Sequence, residues 1–212
     1  MMEFIKQPMA IEHRSMELIA PYLAGLSLSE AEKKVYSRII HAAGDVEYAP
    51  IIRISETAVA AGIAALRGGA DIYTDVEMVR TGINKRKLAS FGGTIHCRIA
   101  DPEIAACAKA QGVTRSLMAM RSFGAALTGN VIAIGNAPTA LFEVLRLVRE
   151  EGVRPACIVG IPVGFVGAAD SKKELAENGL VPYITVEGTK GGSPIAAAAV
   201  NAMLYEIDDG RD

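Results

Sequence analysis

The sequence predicts an α/β fold: a doubly wound, mostly parallel sheet flanked by helices, in a single domain spanning 1–212. Three observations carry this. The second half of the chain alternates short apolar runs with stretches of helical length. Those runs are continuously apolar, as in strands buried on both faces. Half of the 212 residues are hydrophobic and the formal net charge is only -2, which suits one well-filled core and excludes a disordered chain.

Each element has a local reason. Residues 29–44 open with Ser29 and Glu32 at capping-box spacing and close on Gly44, which predicts a helix. A helix over 55–69, a strand over 70–75, a short helix over 77–82 and a strand over 93–99 follow. Asp101 as N-cap and Pro102 in the first turn begin a helix over 101–112, and another runs over 114–129. Residues 131–136 read as a buried strand and 137–152 as an amphipathic helix ending at Gly152. A strand over 156–165, a helix over 171–179, a strand over 181–188 and a helix over 193–207 complete the chain. Strands separated by helices of this length form βαβ units.

Composition also excludes several functions. No run approaches the ~18 uninterrupted apolar residues of a membrane-crossing helix. The N-terminal stretch is polar around His13, Arg14 and Ser15, is expected at the surface and has no apolar signal core, so a cytoplasmic protein is expected. Cys97, Cys107 and Cys157 are too scattered for a disulfide framework or a zinc ribbon. With no clustered ligands, no protein-bound metal is expected. The slightly acidic balance and the absence of Trp argue against a nucleic-acid partner.

In such folds, ligands bind beyond the carboxyl ends of the strands. Three strand-to-helix turns there are rich in Gly, Pro and small polar residues: 135–139, 162–167 and 190–194. They suit either close approach to an anion or flat ligand, or simply tight turns. None is a P-loop and no Gly-x-Gly-x-x-Gly is present, so no nucleotide cofactor is expected. On the helix 29–44, Tyr36, Ile39, Ile40 and Ala43 form the apolar face. Lys34, Ser37, Arg38 and His41 lie roughly opposite, with His41 in the last turn, where the helix dipole favours a cation. Periodicity alone favours a solvated helix face; a proton donor beside a polyanion is the alternative. His96 and Cys97 alternate along a strand and cannot chelate one metal together. Asp71, Asp75 and Glu77 raise a carboxylate site, but helix-cap duty at 75–77 explains two of them. Met118 and Met120 read as gap-filling core.

Several blocks occur in a fixed order: Arg38–Asp45, Thr74–Val79 with Gly82, Thr114-Arg115-Ser116, Ile134–Leu141, Pro162–Ala168 with Ser171-Lys172, and Gly191-Gly192-Ser193 with Asn201-Ala202. From Ser15 to about Met203, the chain resembles the precorrin-8X methylmutase (cobalt-precorrin-8 methylmutase) family of cobalamin biosynthesis. Gly-Asn-Ala-Pro-Thr-Ala-Leu and Pro-Val-Gly-Phe-Val are the most specific blocks.

The resemblance implies an isomerase that moves a methyl group from C-11 to C-12 of a corrin-type macrocycle by a 1,5-sigmatropic shift, with no cofactor. It implies that His41 protonates the macrocycle, which turns the reading of the helix face towards the proton donor. It implies substrate contacts for Ser15, Arg38 and Arg115, and a homodimer with two shared sites in which the turn containing Thr81 and Asn84 comes from the other subunit. The substrate is a flat tetrapyrrole with several carboxylate arms. A near-neutral protein meets such a polyanion with local cations and N–H groups. Arg38, Arg115 and Lys190 are the candidate cations, and Asn84, Asn136, Thr139, Gly192 and Ser193 add hydrogen bonds by placement. A corrinoid carrier without turnover is the competing reading, and an unspecialised α/β ligand-binding module is a third.

Overall fold

The computed structural model describes residues 6–207; the ends of the expected 1–212 span, residues 1–5 and 208–212, lie outside the described residues. Ten helices and six strands are described. They are α1 (Pro8–Leu23), α2 (Glu30–Ala43), β1 (Ile52–Ile54), α3 (Ala58–Arg67), β2 (Ile72–Thr74), α4 (Glu77–Gly82), α5 (Lys85–Ala89), β3 (Ile95–His96), α6 (Pro102–Gln111), α7 (Arg115–Phe123), β4 (Val131–Ile134), α8 (Pro138–Glu150), β5 (Cys157–Gly160), α9 (Ala168–Glu177), β6 (Tyr183–Val186) and α10 (Ser193–Tyr205). Among the described residues, no helix is long and apolar enough to cross a membrane.

The strands form one sheet in the order β1-β6-β5-β4-β2-β3. Every pairing is parallel except β1 with β6, where Ile52 faces Val186. Side chains alternate between faces along each strand, so the apolar runs feed two cores. Val131, Ala133, Cys157, Val159, Ile184 and Val186 pack under α2, α3 and α10. Ile132, Ile134 and Ile158 pack under α7, α8 and α9. The doubly wound expectation holds, and its physical basis is this burial of both faces. Chain direction across the sheet reverses between β2 and β4, which makes the crevice at their carboxyl ends the topological switch point.

The helix signals work where a cap does. Around α2, the Ser29 amide donates to Glu32 Oε2 at 2.8 Å and the Glu32 amide donates back to Ser29 Oγ at 3.3 Å. Gly44 closes the helix in the left-handed region at φ 62°. Other expectations are corrected. The N-terminal stretch forms α1, which docks Ile19 and Leu23 in the core, although Pro21 lies inside it. β1 and α5 are additional short elements, three and five residues long. The strand expected over 93–99 has only two residues, so Cys97 lies beyond it. The helix over 114–129 breaks at Gly124, with φ 52° and ψ -127°, and continues as a 3-10 turn. Asp101 stands at the N-cap of α6 but its side chain accepts no helix amide; its carboxylate accepts from Arg98 Nε at 2.7 Å instead.

Candidate functional site

At the switch point the structure corrects the carboxylate reading. Asp75 does not cap α4; the N-cap there is Val76. The Asp75 side chain is fully buried and reaches across to the turn after β4. The amides of Gly135, Asn136 and Ala137 donate to it at 3.1, 2.9 and 2.7 Å. Burial pushes this carboxyl up from the usual range, and the three N–H donors pull against that. An internal carboxylate therefore occupies the anion-binding turn that the sequence offers to a ligand. What remains outward there is the exposed Asn136 side chain. Gly135 also has to be glycine: a Cβ on it would sit 2.6 Å from Ser193 Cα. That contact brings the turn after β4 onto the N-terminus of α10.

The neighbouring loops lean on one another. The Gly192 amide donates to the Ile161 carbonyl at 3.0 Å, and the Gly164 amide to the Thr189 carbonyl at 3.2 Å. At Thr139, the hydroxyl lies 2.7 Å from that of Thr114, the N-cap of α7, which ties Arg115 to the start of α8. Thus Arg115, Asn136, Thr139, Lys190, Gly192 and Ser193 converge at the carboxyl end of the sheet.

The end of α2 joins this group through charge. Lys190 Nζ donates to Asp45 Oδ2 at 2.6 Å and to Glu47 Oε2 at 2.8 Å. The Lys190 ammonium and the Glu47 amide hold the Asp45 carboxyl below its usual range. Asp45 is four residues past His41, and its amide donates to Ile40 O at 3.4 Å. His41 is exposed, and its imidazole has no hydrogen bond or ion pair among the described residues. Opposite it, Val35, Tyr36, Ile39 and Ile40 are buried, as the helical period requires.

The cations beside His41 are already paired. Lys34 Nζ lies 2.8 Å from Glu206 Oε2. Arg38 donates to Glu12 Oε1 at 3.0 Å and lies 4.6 Å from the centre of the Tyr205 ring. Tyr205 accepts at its hydroxyl from Asn84 Nδ2 at 3.1 Å. Asn84 also caps α5, and its amide donates to Asn201 Oδ1 at 2.8 Å. Ser15 and Thr81 donate back into their own helices, to Ile11 O and Glu77 O, each at 2.9 Å. Arg38 and Asn84 thus meet through Tyr205 at the far end of α10, and one chain divides the expected contacts into two clusters.

Sequence reasoning assigned no role to three features of the site, the first of them inside the turn 162–167 that it did single out. Phe165 and Val166 are 95% and 90% exposed at the tip of the loop after β5. Their signal is two large apolar residues between Gly164 and Gly167 in a strand-to-helix turn. Tyr48 packs beneath Lys190, whose ammonium lies 5.4 Å from its ring centre. Lys172, recognised only as part of a block, is buried behind the same loop. Cys157 and Cys97 are poor nucleophiles: burial pushes the Cys157 thiol up to about 12 and also raises that of Cys97.

Comparison with known proteins agrees with this architecture. The family model for precorrin-8X methylmutase matches residues 10–206. The cobalt-precorrin-8 methylmutase of Priestia megaterium is 40% identical over 204 residues, covering 96% of this chain and 90% of that protein. The precorrin-8X methylmutase of Pseudomonas aeruginosa is 41% identical over 207 residues, covering 97% and 99%. A crystal structure of the precorrin-8X methylmutase from Thermus thermophilus superposes with a TM-score of 0.83 at 36% identity, covering 92% of this chain and 96% of that one. Likeness of this order covers nearly the whole chain, and the chain belongs to the precorrin-8X methylmutase family.

Proposed function

We propose that the chain is an isomerase that moves a methyl group from C-11 to C-12 of (cobalt-)precorrin-8, with His41 as the proton donor. The observation that carries this is the position of His41. It is an unpaired, solvent-facing imidazole on a helix end that Asp45 and Lys190 join to the glycine-rich loop at the carboxyl end of the sheet. Proton transfer from His41 draws electrons through the conjugated ring. The bond to C-11 breaks as the bond to C-12 forms, with no leaving group and no net redox change. Arg115 and the outward Asn136 suit carboxylate arms, with Lys190 beside them already holding Asp45 and Glu47, whereas Phe165 and Val166 suit the flat apolar body of a macrocycle.

The working unit in this reading is a cytoplasmic homodimer with shared sites. Two features support it. Ser193 and Tyr205 lie twelve residues apart on α10, about 18 Å along its axis, so within one chain the two clusters of expected contacts adjoin only along α2, where Arg38 and His41 are one turn apart. Ile11, Leu18 and Tyr22 are also exposed on one stripe of α1, flanking Ser15, which a second copy would cover. A planar ring enclosed on both sides is also shielded from water during proton transfer.

The test is turnover. The purified chain is incubated with metal-free and with cobalt-containing precorrin-8, and visible absorption follows the change in conjugation. Isomerisation of either supports the reading, and binding without turnover leaves a carrier. A general acid contributes ~10²–10⁴ in rate, or about 3–5 kcal/mol. His41→Ala is therefore expected to lose at least about 100-fold in turnover while still binding product. Wild-type turnover in that variant removes His41 from the chemistry.

A further inference from the structure

The loop from Gly188 to Gly192 is rich in glycine. Gly188, Gly191 and Gly192 hold φ of 72°, 153° and 131°, so its path depends on main-chain contacts such as the Gly192 amide to the Ile161 carbonyl and the Gly164 amide to the Thr189 carbonyl. Beside its first residue lies a groove of about 380 Å³ whose lining includes Arg53, Lys172, Lys173, Thr185, Glu187 and Gly188. From α9, the Lys172 side chain, only 1% exposed, runs beneath the loop. Its ammonium donates to the main-chain carbonyl of Lys190 at 2.6 Å. Among the described residues it has no carboxylate partner, so this carbonyl is its counter-dipole. A lysine buried against a backbone carbonyl is an expensive way to fill a core, since the ammonium loses water without gaining an anion. Burial accordingly lowers its pKa to about 8.

Resting on the isomerase reading, we propose that Lys172 is a positioning residue for the reaction. It pins the Lys190 carbonyl, which sets the loop so that the Lys190 side chain reaches Asp45 and Glu47 and the rim beside His41 keeps its shape. The two contacts lie on opposite ends of one residue: main chain to α9, side chain to the end of α2. Lys172 itself, buried behind the loop, acts only through it.

The test compares wild type with Lys172→Met, which keeps the apolar stem and removes the donor. Amide hydrogen exchange of residues 189–192 is expected to speed up at least tenfold, with β4 and β5 unchanged. KM is expected to rise about tenfold with kcat within about threefold, because the rim binds substrate while His41 stays on α2. Lys173→Met, a change at the exposed neighbour, leaves both at wild-type values. Unchanged loop exchange, or a fall in kcat alone that tracks lost global stability, overturns the proposal. Should Lys172→Met not fold, Lys172→Leu, also apolar and without a donor, is read against the same outcomes. Loop exchange needs no turnover, so failure of the isomerase reading in the wild type and failure of the positioning role are distinguishable.

Discussion

Arg115 and Lys190 are both cations at the strand ends, yet they differ in what they can offer a ligand. Lys190 already serves two carboxylates, which hold it firmly protonated. Arg115 is exposed at the first position of α7 and has no hydrogen bond or ion pair among the described residues, so its forked donors are available to a carboxylate arm. Charge-assisted hydrogen bonds contribute about 1.5–3 kcal/mol. Arg115→Ala is thus expected to weaken product binding roughly 10- to 100-fold, and Arg115→Lys by less, in an absorbance titration. Affinity should also fall with added salt, since exposed charges are screened beyond ~8–10 Å. An Arg115→Ala affinity equal to wild type removes the residue from the site. Lys172 gives a second prediction at this scale. Its pKa of about 8 in the folded chain lies below the unfolded value of 10.5. Between those values the unfolded chain holds a proton that the folded chain has released, so stability rises with pH across that window. The buried charge costs on the order of 3 kcal/mol below pH 8, and the cost fades towards pH 10.5. Denaturant unfolding at pH 7.5 and 10 should show this gain in wild type relative to Lys172→Met. Parallel pH profiles in the two proteins contradict it.

Among the elements, the turn after β4 is the best example of a motif whose role the fold redirects. Its exposed amides and following helix look like an anion site, but Asp75 from the end of β2 supplies the anion. Asp75→Asn places an NH₂ donor among three amide donors, leaving at least one of them unpaired. The expected loss is about 2–4 kcal/mol of unfolding free energy, measured by urea denaturation. Product affinity should fall with it, because Asn136 and the start of α10 rest on this turn. A loss below ~0.5 kcal/mol shows that the staple is not needed. At the same scale, α2 was legible because its cap and its apolar stripe agree. α1 was not, because it carries apolar residues on both sides: Ile19 and Leu23 inward, Ile11, Leu18 and Tyr22 outward. A helix with two apolar faces has little period to read.

For the whole molecule, the decisive question is how many chains make one site. A two-fold dimer uses the same surface twice and creates two equivalent composite sites. The expected outcome is complementation: His41→Ala chains mixed with chains disabled in the turn 81–84 regain activity after subunit exchange. In such a heterodimer, one of the two sites holds both intact parts. Proven heterodimers without recovery, or a fully active monomer at high dilution, rule out sharing.

The sequence by itself determined the α/β class, the alternation of its second half and the ordered blocks that mark the family. These are local or collinear properties: caps, breakers, period and motif order survive in one dimension. It also put His41 off the core face of α2, since that follows from the 3.6-residue period alone. Only the tertiary structure decided which turn amides stay open, which cations stay unpaired and which strand lies at each edge. Asp75 meets residues 135–137 across 60 or more positions, and Lys190 meets Asp45 across 145. Arg38 reads in sequence as a free cation, but Glu12 on α1 neutralises it once the two helices pack. Strands of two to four residues pair only because neighbours on both faces bury them, so the edge strands β1 and β3 carry almost no signal of their own. Whether a polar group faces a ligand or a partner within its own chain depends on which distant residue the fold brings to it, and no local pattern encodes that.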